Sequence, residues 1–123
     1  MIGRDSTDHR ELFSHAIKAM KNFDEAVNYS PDDIEIRLLR ANHSLRLPEA
    51  FFCRTATAIT DLEYLVERYQ KDRGIFSIET YWQVLYDLGR AYERLGMEKE
   101  CAAAWETLLS LNPDAKYREL IRM

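Results

Sequence analysis

Residues 77–113 read SIETYWQVLYDLGRAYERLGMEKECAAAWETLLSLNP, and this stretch decides the fold. Tyr81, Leu85, Leu88, Tyr92 and Leu95 recur at alternating spacings of four and three, which places them on one face of an α-helix. Ser77 stands where an N-cap belongs, with Phe76 before it and Tyr81 after it at the two positions of a hydrophobic staple. Gly96 follows the stripe directly, as a residue free to take the left-handed conformation that ends a helix. A second stripe, Cys101, Trp105 and Leu108, begins after it and stops at Asn112-Pro113. Two helices joined by so short a turn fold back on one another.

Working outward, the same period marks the rest of the chain. Leu12, Ala16, Ala19, Phe23 and Ala26 form a stripe that Pro31 ends, with Asp8 as its expected cap and Glu11 as the partner of a capping box. Ile34, Leu38, Ala41 and Leu45 form the next, closed by Pro48. Ala58, Leu62, Leu65 and Tyr69 form a third, which frays into Gln70 to Gly74. Tyr117, Leu120 and Ile121 suit a short last helix covering the end of the stack. Pro31, Pro48, Gly74, Gly96 and Pro113 cut the chain too often for a long coiled coil. The expectation is an all-α fold of about six helices in antiparallel pairs, with Phe51 and Phe52 in its core.

Composition agrees. The 123 residues are 46% hydrophobic and 31% charged, which suits one globular domain and excludes a disordered tail. Only four Gly and three Pro are present, too few for the frequent turns of a β-sandwich. No apolar window is long enough to span a bilayer, and the first residues lack a signal peptide's apolar run. Cys53 and Cys101, without a CxxC pattern, read as small buried hydrophobes in a reducing compartment, so the expected address is the cytoplasm. With 17 basic against 21 acidic residues, interleaved along the chain, no phosphate-binding stripe stands out. Arg37, Arg40 and Arg54 are the residues a nucleic-acid reading would have to use, and the net charge of −4 argues against it. His9, His15 and His43 stand apart from one another, and no phosphate loop, nucleophile elbow or HExxH pattern occurs. No enzyme, no metal and no cofactor are expected.

From Trp82 onward, Leu85, Leu88, Gly89, Tyr92, Gly96, Cys101, Trp105 and Pro113 fall without a gap in the register of a 34-residue motif, and the segment resembles a tetratricopeptide repeat. Gly89 lets the two helices approach, Cys101 keeps the facing position small, Trp105 fills the volume between repeats and Pro113 turns the chain onward. Leu108 departs from the small residue usual there, which suggests looser local packing. Ala19, Phe23, Ala26 and Pro31 lie 82 residues before Cys101, Trp105, Leu108 and Pro113 respectively. Two standard repeats span about 68 residues, so the middle unit carries about 14 more, near Leu47 to Phe52 and Gln70 to Phe76, with Ala41 and Ala58 as its small packing pair. The expected organisation is a single domain over 1–123, comprising a half repeat (8–31), a stretched repeat (32–76), a regular repeat (77–113) and a terminal capping helix (114–123).

The resemblance implies a short right-handed superhelix that works as a non-catalytic adaptor, binding a peptide or protein partner in the concave groove lined by the first helix of each pair. Carrying the groove positions over selects Glu35, Leu38, Asn42 and Arg46 on the second helix, and Gln83, Tyr86, Arg90, Glu93 and Arg94 on the fourth. Leu45 falls at such a position too but belongs to the apolar stripe. Arg46, Arg90 and Arg94 are then expected to converge, with Asn42 and Tyr86 offering hydrogen bonds. Guanidinium forks bind carboxylates bidentately, so the expected ligand is an acidic segment or a C-terminal carboxylate. The competing expectation for Arg90 and Arg94 is pairing with Asp87 and Glu93 on a solvated face. An alternative function is self-association as a homodimer, a second copy covering the unpaired first helix.

Overall fold

A computed structural model describes the backbone of residues 3–121 and the side chains of residues 9–121. The described residues form seven helices and no strand: α1 (Gly3–Tyr29), α2 (Ile34–Arg46), α3 (Glu49–Phe52), α4 (Thr55–Lys71), α5 (Ile78–Arg94), α6 (Glu98–Ser110) and α7 (Ala115–Leu120). The extra element against the sequence expectation is α3, one turn built on Pro48, whose preset φ of −61° starts it. Cys53 ends that turn in the left-handed conformation at φ 53°, so it is exposed, unlike buried Cys101, and both cysteines are free. Phe51 on the same turn is 74% exposed and is not core, while Phe52 rests on Phe13 of α1 at 5.0 Å between ring centroids. Helix α1 begins at Gly3 and so contains both Asp8 and Glu11. The expected capping box does not start it, because no breaker between Gly3 and Pro31 obliges the helix to begin later.

Helix α5 has the ends that its sequence specifies. The Thr80 amide donates to Ser77 Oγ at 3.1 Å, and Phe76 and Tyr81 both stack on Tyr69 of α4, at 5.1 and 4.0 Å. At the other end the Gly96 and Met97 amides donate to the Glu93 and Tyr92 carbonyls, with Gly96 at φ +75°, a complete Schellman closure.

The helices pack as antiparallel pairs, α2 with α4 and α5 with α6, and α4 joins the pairs by lying also against α5. Ala41 and Ala58, the expected small pair, are both fully buried. Leu62 and Leu65 of α4 meet Leu85, Leu88 and Ala91 of α5 in one core that continues to Tyr117 and Ile121 around α7. Each of these leucines contributes about 1.5–3 kcal/mol on burial. Trp105 works inside the second pair rather than between repeats: its ring stacks on Tyr86 at 6.0 Å, its Nε1 donates to the Tyr86 carbonyl at 3.2 Å, and it covers Gly89. Leu108 is completely enclosed, so the larger residue is accommodated without looser packing. Arg94 near the end of α5 donates to the Leu45 carbonyl near the end of α2 at 3.1 Å, and Leu38 and Asn42 of α2 line one cleft with Thr80, Gln83 and Asp87 of α5, so the two helices run side by side in one direction.

Helix α1 lies on α2 but stands outside this core. An ion-pair network holds it. Asp61 of α4, fully buried, accepts from Arg37 at 3.0 Å and from Arg40 at 2.7 and 2.8 Å. Arg40 also reaches Asp24 of α1 at 3.1 Å, and Arg54 donates to Asp24 at 2.7 Å. The three arginines that a phosphate-binding surface would need are thus committed to the carboxylates of Asp24 and Asp61.

Candidate partner-binding cleft

The parallel arrangement of α2 and α5, with α7 following, leaves a cleft of about 410 Å³ on one side of the fold. Leu38, Leu62 and Val84 supply apolar lining, and Trp82 and Tyr117 supply aromatic lining, their rings meeting edge to face at 6.3 Å. Asn42, Thr80 and Gln83 add uncharged polar groups. Three carboxylates, Glu79, Asp87 and Asp114, line it against one cation, Lys116, whose ammonium lies 5.1 Å from the Tyr117 ring centroid.

A short hydrogen-bond chain orders the interior. Tyr117 Oη donates to Gln83 Oε1 at 2.9 Å, and Gln83 Nε2 donates to Asp87 Oδ1 at 3.0 Å. Because Gln83 and Asp87 are one turn apart on α5, the helix itself fixes this contact. Burial pushes the Asp87 carboxyl above its ordinary range, against the opposing pull of the Gln83 bond and the Arg90 charge. The Tyr117 phenol is likewise raised, first by burial and then by the charges of Asp87 and Asp114.

Of the residues selected from the sequence, Leu38, Asn42 and Gln83 come together in this cleft. The others lie elsewhere. Glu35 is exposed on the first turn of α2. Tyr86 is buried between Trp105 and Tyr117. Arg90 donates to Tyr86 Oη at 3.2 Å and sits 3.8 Å from exposed Glu93, which follows the solvated-face expectation for this arginine. Arg94 instead spans to the Leu45 carbonyl and, at 3.4 Å, to Thr55 Oγ1, tying the end of α5 to the α2–α4 connection. Arg46 lines a separate hollow of about 490 Å³ with His9, Leu12, Phe13 and Phe52. Half-buried Leu45 packs on the core, as its stripe requires. The three arginines therefore do not line the cleft together, and its charge has the opposite sign from the one their convergence would give.

Residues 82–115 match the tetratricopeptide repeat family. The matched tetratricopeptide segment takes in most of α5, all of α6 and the first residue of α7, so it supplies the central wall of the cleft. A tetratricopeptide repeat marks a protein–protein interaction module. No curated protein and no solved structure matches the chain. Among the described residues no helix is long and apolar enough to cross a membrane, and no three His, Cys, Asp or Glu side chains are placed to hold a metal ion.

The cleft residues that the sequence reading passed over are Glu79, Thr80, Asp87, Asp114 and Lys116, together with Trp82 and Tyr117, read only as structural. A signal for the α5 group was present: Glu79, Gln83 and Asp87 recur every four residues and share one helix face. The selected Tyr86 and Glu93 wind off that face, and Arg90 and Arg94 continue it past the cleft.

Proposed function

We propose that this protein is a non-catalytic adaptor that binds an extended segment of a protein partner in the α2–α5–α7 cleft. The observation that carries the reading is the convergence of Leu38, Asn42 and Gln83, from two helices that run side by side, on a cleft with an apolar floor and polar rims. The tetratricopeptide match at 82–115 supports it, and the reading includes a right-handed superhelical stacking of the two helix pairs, with α7 as the start of a third layer. Free cysteines agree with work in a reducing cytoplasm. Asn42→Trp tests the reading, because Asn42 is exposed and its enlargement fills the cleft without entering the core. With helicity unchanged, a prey protein captured from native lysate by the wild type is expected to be lost with Asn42→Trp. Retention at equal yield moves the binding surface out of the cleft.

A second reading is self-association through α1. Leu12 and Phe13 are 64% and 49% exposed on its outer half and border the hollow that Arg46 lines. Sedimentation equilibrium decides it: a mass rising with concentration, and returning to one chain in Leu12→Ser/Phe13→Ser, supports a second copy on this face. A single-chain mass throughout the range removes it.

A further inference from the structure

We propose that the segment taken by the cleft is basic, and that Asp87 is the counter-charge for a lysine or arginine side chain seated against Trp82 and Tyr117. The inference deepens the adaptor reading and rests on it. Three carboxylates against one ammonium give the lining an excess of negative charge, and Lys116 stands beside Tyr117. Of the three carboxylates Asp87 is the one withdrawn from the surface: the donor that reaches it among the described residues is the Gln83 amide, and no ion pair does, the Arg90 charge acting on it from beyond ion-pair distance. The contrast with Asp61 is internal to the molecule. Asp61, more deeply buried, is paired with two arginines, whereas Asp87 has no cation within ion-pair distance among the described residues, and a partly desolvated carboxylate so placed gains from receiving one.

The surroundings suit that guest. The face of an indole or phenol attracts a cation, and the methylene stem of lysine or arginine packs against aromatic and leucine surface while its head reaches a carboxylate. Gln83 pins one oxygen of Asp87 and leaves the other for the incoming group. The cleft also contains an unmet donor, since the buried Trp82 indole N–H has no acceptor among the described residues. The main-chain carbonyls of an extended peptide are acceptors of the kind it lacks.

The test uses the full chain and two short synthetic probes of equal length, one alternating glycine with lysine and the other glycine with glutamate, followed by nitrogen–proton NMR titration. The lysine probe is expected to shift the side-chain amides of Asn42 and Gln83 and the Trp82 indole signal. Its affinity is expected to fall roughly tenfold in Asp87→Asn, and steeply with salt. Asp87→Asn keeps the shape and the Gln83 contact, and Glu106→Gln, exposed on α6, controls for loss of one surface charge. Equal binding of the lysine probe by Asp87→Asn overturns the assignment. So does a glutamate probe that shifts the same signals as strongly, although that result leaves the cleft as the binding site. Failure of the lysine probe to move these signals at millimolar concentration also overturns it, and the Asn42→Trp capture then decides separately whether the adaptor reading survives.

Discussion

Gly89 faces the Trp105 indole so closely that a methyl group on its α-carbon would lie 2.0 Å from Nε1 and 2.4 Å from Cδ1. Trp105 is itself buried and bonded to the Tyr86 carbonyl, so it has nowhere to retreat. Gly89→Ala is therefore expected to lose about 1–2 kcal/mol of stability in urea unfolding, the overpacking cost exceeding the gain in helix propensity; an unchanged midpoint would mean that the indole swings aside. Asp61 is the opposite kind of residue, a charge that three hydrogen bonds from two arginines make tolerable. Asp61→Asn is expected to cost about 3–5 kcal/mol, because Arg37 and Arg40 are left half-sequestered without their counter-charge. Gly89 was legible in the sequence through its place in a repeat, whereas Asp61 was not, since nothing local distinguishes a carboxylate whose partners arrive from another helix. Asp87 shows the cost of readiness to bind. Its carboxyl is raised in the folded state above the ordinary 3.8, so its contribution to stability is fully present below that value and is lost as pH rises through the raised one. Asp87→Asn, which mimics the protonated form, is expected to melt at a higher temperature than wild type at pH 7, with the difference vanishing toward pH 3.

At the scale of single helices, the turn at Gly96 sets how α6 returns on α5. Nothing lies within 4 Å of where its side chain would be, so only its φ of +75° resists substitution. Gly96→Ala is expected to cost about 1 kcal/mol, the left-handed penalty of an ordinary residue, and Gly96→Asn measurably less, both read by thermal melting. The ends of α5 were legible because Ser77, Phe76 and Gly96 act within a few residues of themselves. The start of α1 and the turn of α3 were not. Helix α1 runs past Asp8 because a capping residue permits a helix start without compelling one. Helix α3 depends on Pro48 being used to open a turn rather than only to close α2, two roles that look alike in sequence. The exposure of Phe51 and Cys53 follows from that turn, since a one-turn helix points some of its apolar residues outward.

For the whole molecule, the all-α pairing could be read from periodicity, but the cleft could not, because its walls come from three helices whose relative rotation no single stretch records. Leu38, Asn42 and Gln83 were found through the repeat register, while Asp114, Lys116 and Tyr117 belong to the cleft only because α7 turns back beside α5. The same view from above the elements shows how unevenly the chain is held. The continuous core runs from α2 to α7, and Val27 is the one buried apolar side chain that α1 provides among the described residues. What fastens α1 instead is Asp24, shared between Arg40 and Arg54 and with 42% of its side chain exposed. Burial raises the Asp24 carboxyl, but the two arginines outweigh it and hold it below its ordinary value of 3.8; the tether is thus complete above that pH and fails as pH falls through the lowered value. Salt acts on it similarly, because at about 1 M the screening length shrinks to roughly 3 Å and a half-exposed pair weakens far more than enclosed Asp61. Native-state hydrogen exchange at neutral pH is accordingly expected to show the amides of α1 opening several-fold faster in about 1 M sodium chloride than in dilute buffer, with those of α4 and α5 unchanged, and Asp24→Asn reproducing the effect without salt. Equal acceleration across α1, α4 and α5 would instead mean that α1 unfolds with the core as one cooperative unit, and that Val27 and its half-buried neighbours hold it rather than the ion pairs.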